Sequence, residues 1–451
     1  MNTLQLKTFR DLWLYKSRTI LVVLAIAIGT AAVGVATTSF IVMRRDLRDG
    51  YHGTNPAHAV LDVTTASESL AGRVAALPGV AEATARRQTS ARLLQDDGET
   101  RALLLWTLPD FDSPVGKLYR QPGAVVPPPD GSILLERSIV PILGVARGDV
   151  MAIRTIGGET EDLTIAGFVN DLAVAPTTVQ PVAYGYISDE TAAQLGIQGD
   201  YNQLAITVST PAPDRAAVES VVTAVTAWLE DEGVIVTRAV IPEPGVHLMQ
   251  GSVDTGLLMI GILGGLTMLL SAFLVTNIMS AVIAQQVPII GVLKALGGDR
   301  GLIFRQYGRM VLLFGTLALI LAVPIGLLGA WFQSSYLAGQ LNYDIPSFGL
   351  PWQTLLIQLA GALLVPALAA LGPVRGAANV TIREALGGQG IGALTRGGLL
   401  TRLEGLPRLF ALALRNIARR KVRLLLTLLA LSLAGAMFMA TFGLRSGLIE
   451  A

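Results

Sequence analysis

The stretch Gln285–Arg300 reads QQVPIIGVLKALGGDR, and the rest of the chain takes its meaning from where this segment sits. It contains Pro288, the Gly297-Gly298 pair, Lys294 and Arg300. Apolar runs flank it, Gly256–Ala284 before and Val311–Phe332 after, each long enough for a hydrocarbon core that takes about 20 residues to cross. The segment 285–306 is therefore expected to be a turn between two membrane spans. It should hold a short helix from Ile289 to Leu296, ended by Gly297-Gly298.

The composition agrees with a membrane setting. Hydrophobic residues make up 52% of the chain and charged residues 15%, against about 25% charged in soluble globular proteins. There is no cysteine, which excludes disulfides and thiolate metal sites.

Outward from the central stretch, the spans and polar tracts alternate. Residues 1–18 interleave Leu6, Phe9 and Trp13 with Lys7, Arg10, Lys16 and Arg18, the pattern of a segment lying on a membrane surface on the cytoplasmic side. No charge occurs from Thr19 to Met43. A signal-peptide core runs about 7–15 residues, so residues 19–43 read as a retained first span, with a cleaved signal as the competing reading. Residues 44–252 form a long polar tract with strand patterns at 57–64, 149–156, 161–169 and 202–209. They also carry a hairpin signal around Asp96-Asp97-Gly98, a short helix at 67–77 stopped by Pro78-Gly79, and an amphipathic helix at 214–229. This predicts an α+β domain of two subdomains, wholly on one side of the membrane.

The second span, 256–284, exceeds a bilayer crossing, so one end is expected to project as a stalk. The third span is 311–332 and the fourth 352–371, with Pro324 and Pro366 inside them. A basic cytoplasmic linker and amphipathic segment, 373–423, leads to a fifth span at 424–444. The fold class expected is thus an α-helical membrane protein with a large exterior α+β domain: one span, the exterior domain, three spans, then one more.

Charge asymmetry sets the orientation. Lys and Arg crowd the flanks at 7–18, 294–309 and 375–423, whereas the short loop 333–351 has neither. By the positive-inside rule the N-terminus and 285–306 are cytoplasmic and the large domain is outside a plasma (inner) membrane. Arg44, Arg45 and Arg48 run against the rule, but they open a long translocated domain, where it is weak.

Arg10, Lys16 and Arg18 recur at constant separation as Arg415, Lys421 and Arg423, and Leu21, Leu24 and Ala25 as Leu426, Leu429 and Ala430. This implies a repeated module, of which the fifth span is the second copy's first. The sequence is accordingly expected to be the N-terminal half of a two-module protein, a five-span product being the alternative.

Chemical motifs are sparse. No GxxxxGK[ST] loop occurs, so the chain is not expected to hydrolyse nucleotide itself. His52, His58 and His247 are scattered, and Glu159, Glu161 and Asp162 read as a solvated turn. The spans are essentially free of charge, which argues against a proton- or sodium-driven pathway. Gly261 and Gly265 form a GxxxG pair that allows close helix packing.

The order of one span, an exterior domain and three spans, with IIGVLKALGG after the second, resembles the FtsX/MacB-type ABC transporter permeases. The family's turn commonly reads like REIGILRALGA. Residues Ile290 to Gly297 match it, whereas Pro288 and Ile289 replace a basic and an acidic residue. Pro373-x-Arg375-x-Ala377 and Glu384-Ala385-Leu386 are similar to the family's P-x-R-x-A…P-x-E-A-L ending, with Ile382 in place of the second proline. ILLERSIVPILGVARGDVMAI with LTIAGFV is similar to the periplasmic core domain of the MacB group.

The resemblance implies a permease without its own ATPase or bound cofactor, ATP being held by a cytoplasmic ABC ATPase dimer. The coupling residues are then Ile290, Gly291, Leu293, Lys294, Leu296, Gly297 and Arg300. Contact rests mainly on Ile290, Leu293 and Leu296, with Lys294 secondary. Other partners implied are a second permease module or subunit, membrane lipids, and an extracytoplasmic fusion protein or lipoprotein, with no nucleic acid. The function implied is export or extraction of lipoproteins, peptides or amphiphilic compounds. The alternative is a transmembrane signal transmitter that controls an extracytoplasmic cell-wall enzyme.

Overall fold

The computed structural model describes residues 16–95, 98–155, 157, 158, 160–386 and, near the C-terminus, 428, 432, 435 and 439. The expected surface segment before residue 16, the linker and basic segment after residue 386, and the repeat with its fifth span lie largely outside the described residues. Two compact units divide the chain. One contains residues 1–38, 258–330 and 350–451, the other 39–257 and 331–349.

Among the described residues, four helices are long and apolar enough to cross a membrane: α1 (Lys16–Gly53), α6 (Gln250–Ala295), α7 (Arg300–Gln340) and α8 (Trp352–Asn379). All four outrun the spans read from hydropathy, because helical hydrogen bonding continues past the apolar window into polar residues. The central stretch shows this most clearly. Pro288 lies inside α6 and does not open a separate helix; the chain stays helical through Ala295. A proline removes one backbone bond and crowds the preceding turn, yet neighbouring helices hold the segment. Residues 285–295 are thus the end of α6, and the turn proper is only Leu296 to Asp299.

In the first unit Val22, Ile26, Met279, Ile283, Tyr307, Phe314, Ala362 and Ala370 form part of one apolar core. Glycines permit the closest approaches. A Cβ on Gly315 would come within 2.3 Å of the Ala362 carbonyl oxygen, and one on Gly34 within 1.8 Å of the buried Gln358 amide nitrogen. Of the expected GxxxG pair, Gly261 and Gly265 have open space around them. Gly264 instead faces α1, where an added Cβ would stand 3.1 Å from the Ala32 carbonyl oxygen.

The second unit is built on one sheet of ten strands, in the order β10-β1-β9-β2-β3-β8-β5-β7-β4, with β6 pairing β2 and β7. The strands are β1 (Ala59–Ala66), β2 (Val80–Leu94), β3 (Thr100–Thr107), β4 (Tyr119–Arg120), β5 (Ser132–Glu136), β6 (Val150–Thr155), β7 (Thr160–Asn170), β8 (Val182–Ile187), β9 (Tyr201–Val208) and β10 (Val236–Val240). The long β2 serves two halves. Val80–Arg86 pairs with β9, and Arg87–Leu94 pairs with β3.

Each half has its own core, so two subdomains share one strand. Helices α2 (Glu68–Ala75) and α5 (Arg215–Asp231) cover the β1–β9 half with Leu70, Val74, Val218, Val222, Val225 and Leu229. The spacing of these α5 residues is that of one helical face. Ser67 and Asp214 cap the two helices by accepting from the N–H groups of Leu70 and Ala217. In the other half every residue of β5 is buried. Ile133 and Leu135 enter one core, and Leu134 enters another with Trp106, Tyr184 and Tyr186. Two short helices, α3 (Val140–Leu143) and α4 (Asp189–Gln194), complete the unit.

The sequence reading puts a loop at 333–351, but α7 stays helical through Gln340, so only the residues after it are loop. Residues 331–349 belong to this sheet unit. Asn342 enters it with a left-handed backbone, φ 59°, a conformation Asn tolerates better than most residues. It accepts from Arg137 Nε at 2.7 Å, and its amide donates to Glu136 and, at 3.2 Å, to Asn170. Arg137 also holds Asp344 at 2.8 Å and 3.0 Å. Burial pushes the Glu136 carboxyl above its usual range, while bonds from Ser138 and Asn342 pull against that shift.

Candidate coupling site

The turn after α6 is fully specified by local chemistry. Gly297 has φ +92°, a left-handed value that glycine adopts at no steric cost. Its N–H donates to Lys294 O at 3.0 Å, and the Gly298 N–H donates to Leu293 O at 2.8 Å. This pair of bonds is the Schellman closure of a helix C-terminus. Asp299 then caps α7, its carboxylate accepting from the Leu302 N–H at 2.7 Å. The sequence Leu296-Gly297-Gly298-Asp299 is therefore a tight helix–helix connection in which each unusual residue has a backbone task.

The side chains of this end of α6 divide differently from the sequence-based expectation. Ile290 is 2% exposed and packs in the apolar core with Ile303, Val374 and Ala378. Gly291 is buried, and Leu293 is half-buried. Ile290 therefore cannot serve as a contact residue on the surface. The exposed apolar residues are Ile289, Val292 and Leu296, at 46%, 50% and 81%. Their spacing of three and then four residues places them on one helical face. A helical wheel of 289–296 alone cannot say which face the bundle takes, because Ile, Val and Leu occur on both.

Lys294 is also committed inward. Its ammonium donates to the carbonyls of Ala378, at 2.8 Å, and Val380. These are end carbonyls of α8, where a cation is favoured by the helix dipole. The next short helix, α9 (Ile382–Leu386), begins with a reciprocal cap. The Glu384 N–H donates to the Thr381 hydroxyl at 3.3 Å, and the Thr381 N–H donates to the Glu384 carboxylate at 2.9 Å. The bonds from the Thr381 backbone and hydroxyl hold the Glu384 carboxyl below its usual range. The two sequence motifs thus meet: IIGVLKALGG and the Pro373…Leu386 ending form one support, with Ile290, Val374, Ala377 and Ala378 in a shared core. Gly297 and Arg300 are exposed at the turn.

What this arrangement offers chemically is a rigid apolar knob. Among the described residues it holds no set of groups suited to bond making; Val292 and Leu296 are exposed on it, and Arg300, Arg305 and Arg309 of α7, Arg375 of α8 and Arg383 of α9 are exposed as well.

Among the described residues, the four long apolar helices have the length and composition of membrane spans. Residues 261–382 match the family described as FtsX-like permease C-terminal, and this segment is an FtsX-like permease domain. No curated protein matches the chain. Among solved structures, the extracellular domain of the noncanonic ABC-type transporter YknZ from Gram-positive bacteria is similar at 11% identity. The match covers 40% of this chain and 100% of that one, with a TM-score of 0.29. The periplasmic region of MacB from Actinobacillus actinomycetemcomitans is similar at 10% identity, over 45% of this chain and 92% of that one, with a TM-score of 0.28.

Proposed function

We propose that this chain is the permease subunit of an ABC transporter. It couples ATP hydrolysis on a separate cytoplasmic ATPase dimer to movement of its sheet domain outside the plasma membrane. The observation that carries this reading is the FtsX-like domain over 261–382, whose two end motifs brace one exposed apolar stripe. In this reading Val292 and Leu296 seat in a groove on the ATPase, with Ile289 at the upper edge of the contact. Ile290, Lys294 and the Pro373–Leu386 ending hold the stripe rigid so that force reaches α6. The long α1 and α6 act as levers between this knob and the sheet domain. The cargo class is amphiphilic: lipoproteins, peptides or hydrophobic compounds handled on the outer side, with a second permease module or subunit completing the assembly.

The test is co-purification of the chain with an ABC ATPase encoded beside it, together with the ATP turnover of the pair. Leu296→Asp combined with Val292→Asp is expected to lower co-purification by about tenfold or more, since a desolvated apolar anchor contributes about 2 kcal/mol. Unchanged co-purification and turnover in a folded double variant would defeat the assignment.

A further inference from the structure

A polar cleft of about 410 Å³ is set into the sheet unit, where the last turns of α7 meet the residues that follow β5. Its size falls within the range of small-ligand sites, about 300–1,000 Å³. Ser138, Ala338, Asn342 and Tyr343, each under 10% exposed, give it a buried wall, and Ser335 lines it as an exposed hydroxyl.

The charges of the lining decide what it can receive, and they are one of each sign, Arg137 and Asp344. Arg137 donates through Nε to Asn342 at 2.7 Å and through Nη1 to both Asp344 oxygens, at 2.8 Å and 3.0 Å. Its Nη2 has no partner among the described residues. The Asp344 side chain is 66% exposed, and an ion pair so placed holds weakly. A simple anion on Arg137 would face the Asp344 carboxylate, and a simple cation on Asp344 would face the guanidinium. A ligand that carries an anion for Nη2 and an N–H cation for Asp344 satisfies both.

The height of the cleft on α7 selects among such zwitterions. The apolar run of this helix ends at Phe332. Ser335 and Gly339 of the cleft lie about 4.5 and 10 Å farther along the axis, and a headgroup layer is about 5–8 Å deep. Trp331 and Phe332, 52% and 71% exposed, precede Ser335 by four and three residues and so share its helical face. Exposed aromatic residues at this height mark the edge of a bilayer.

We propose that this cleft binds the headgroup of a zwitterionic phospholipid with a primary ammonium, of the phosphatidylethanolamine class. The phosphate sits on Arg137 Nη2 and the Ser335 hydroxyl, the ammonium on Asp344, and the acyl chains pass down over Trp331 and Phe332. The assignment needs α7 in a bilayer and does not depend on the ATPase contact.

The test is native mass spectrometry of the full chain purified into micelles with equal phosphatidylethanolamine, phosphatidylcholine and phosphatidylglycerol. One phosphatidylethanolamine should be retained over each of the others by about tenfold, the scale of one charge-assisted hydrogen bond. A quaternary ammonium has no N–H for Asp344, and phosphatidylglycerol has no cation. Asp344→Asn should abolish the preference over phosphatidylcholine, and Ser335→Trp, which fills the cleft from an exposed position, should remove the retained lipid. Size exclusion of both variants checks that they fold. Free phosphoethanolamine should displace the lipid only in large excess, and a photo-crosslinking side chain at position 178 in native membranes should label phospholipid. Equal retention of the three lipids would overturn the proposal, as would either folded variant behaving like the unmodified chain. Phosphoethanolamine competing as well as the lipid would mean a soluble zwitterion, and crosslinks to protein alone a peptide; either result would overturn it too.

Discussion

Lys294 Nζ donates to the Ala378 carbonyl at 2.8 Å, joining the end of α6 to the end of α8. The lysine of the most diagnostic stretch in the sequence therefore caps a helix, and does not face outward to a partner. Lys294→Met should lower the thermal stability of the chain by about 1 kcal/mol, the net worth of a typical hydrogen bond. It should leave co-purification with the ATPase largely intact. Differential scanning measurements alongside the pull-down separate the two roles. A variant that kept its stability but lost the ATPase would return Lys294 to the contact surface.

The pairing of Asn342 with Glu136 and Arg137 makes a different prediction. Asn342→Ala leaves the buried Glu136 and the partly exposed Arg137 each short of a partner, at a cost of about 2 kcal/mol or more. Arg137 and Asp344 have side chains 20% and 66% exposed, so their coupling in a double-mutant cycle should be small, about 0.5 kcal/mol. Denaturant unfolding of the full chain distinguishes the two values. A large Arg137–Asp344 coupling would mean that the ion pair, and not Asn342, fastens the 331–349 segment.

His247 gives the sheet unit an acid sensitivity. It is 3% exposed, its Nδ1 accepts from the Met249 N–H at 3.0 Å, and its ring lies edge-on to Tyr51 at 5.2 Å. Burial lowers its pKa from 6.5 to about 4, with a bond to the Leu172 backbone opposing the shift. The folded state thus binds fewer protons than the unfolded state between these values. Stability supplied by the neutral ring is complete above pH 6.5 and is lost as pH falls toward 4, by about 3 kcal/mol in all. His247→Gln should flatten that part of the pH profile. The carboxyls of Glu136 and Asp171, which burial raises, contribute in the opposite sense in acid. The difference between the variant and the unmodified chain therefore isolates the histidine.

Glycine packing in the helices yields a paired test. Gly315→Leu drives a side chain into the Ala362 carbonyl and should abolish accumulation of folded protein in the membrane. Gly261→Leu enters open space and should be tolerated within about 0.5 kcal/mol. Fluorescence-detection size exclusion of both variants gives the comparison. Equal behaviour would show that α7 and α8 can separate at no cost.

Much of the local structure was legible from residue order. The hairpin of Ala91 with Leu103, the α5 stripe Val218-Val222-Val225-Leu229 and the Gly297-Gly298 stop all follow from period-2 alternation, period-3.6 spacing and backbone freedom at glycine. The candidate site was legible as a place but not as a set of contact residues. Ile290 and Val292 look alike in sequence, yet one is core and the other surface, because only packing against Val374 and Ala378 breaks their equivalence. Segment 331–349 carried no signal of its docking either, since Asn342 and Arg137 are far apart in the chain and neither belongs to a periodic pattern.

What the sequence determined by itself is therefore the set of properties that short-range physics controls: the apolar lengths of the four described membrane-length helices, their basic flanks and the helix stop at Gly297-Gly298. Tertiary structure alone decided which face of α6 is outward, where the Lys294 ammonium is spent and which unit claims residues 331–349. Those outcomes depend on burial and hydrogen bonding between groups distant in the chain, and no local propensity records them.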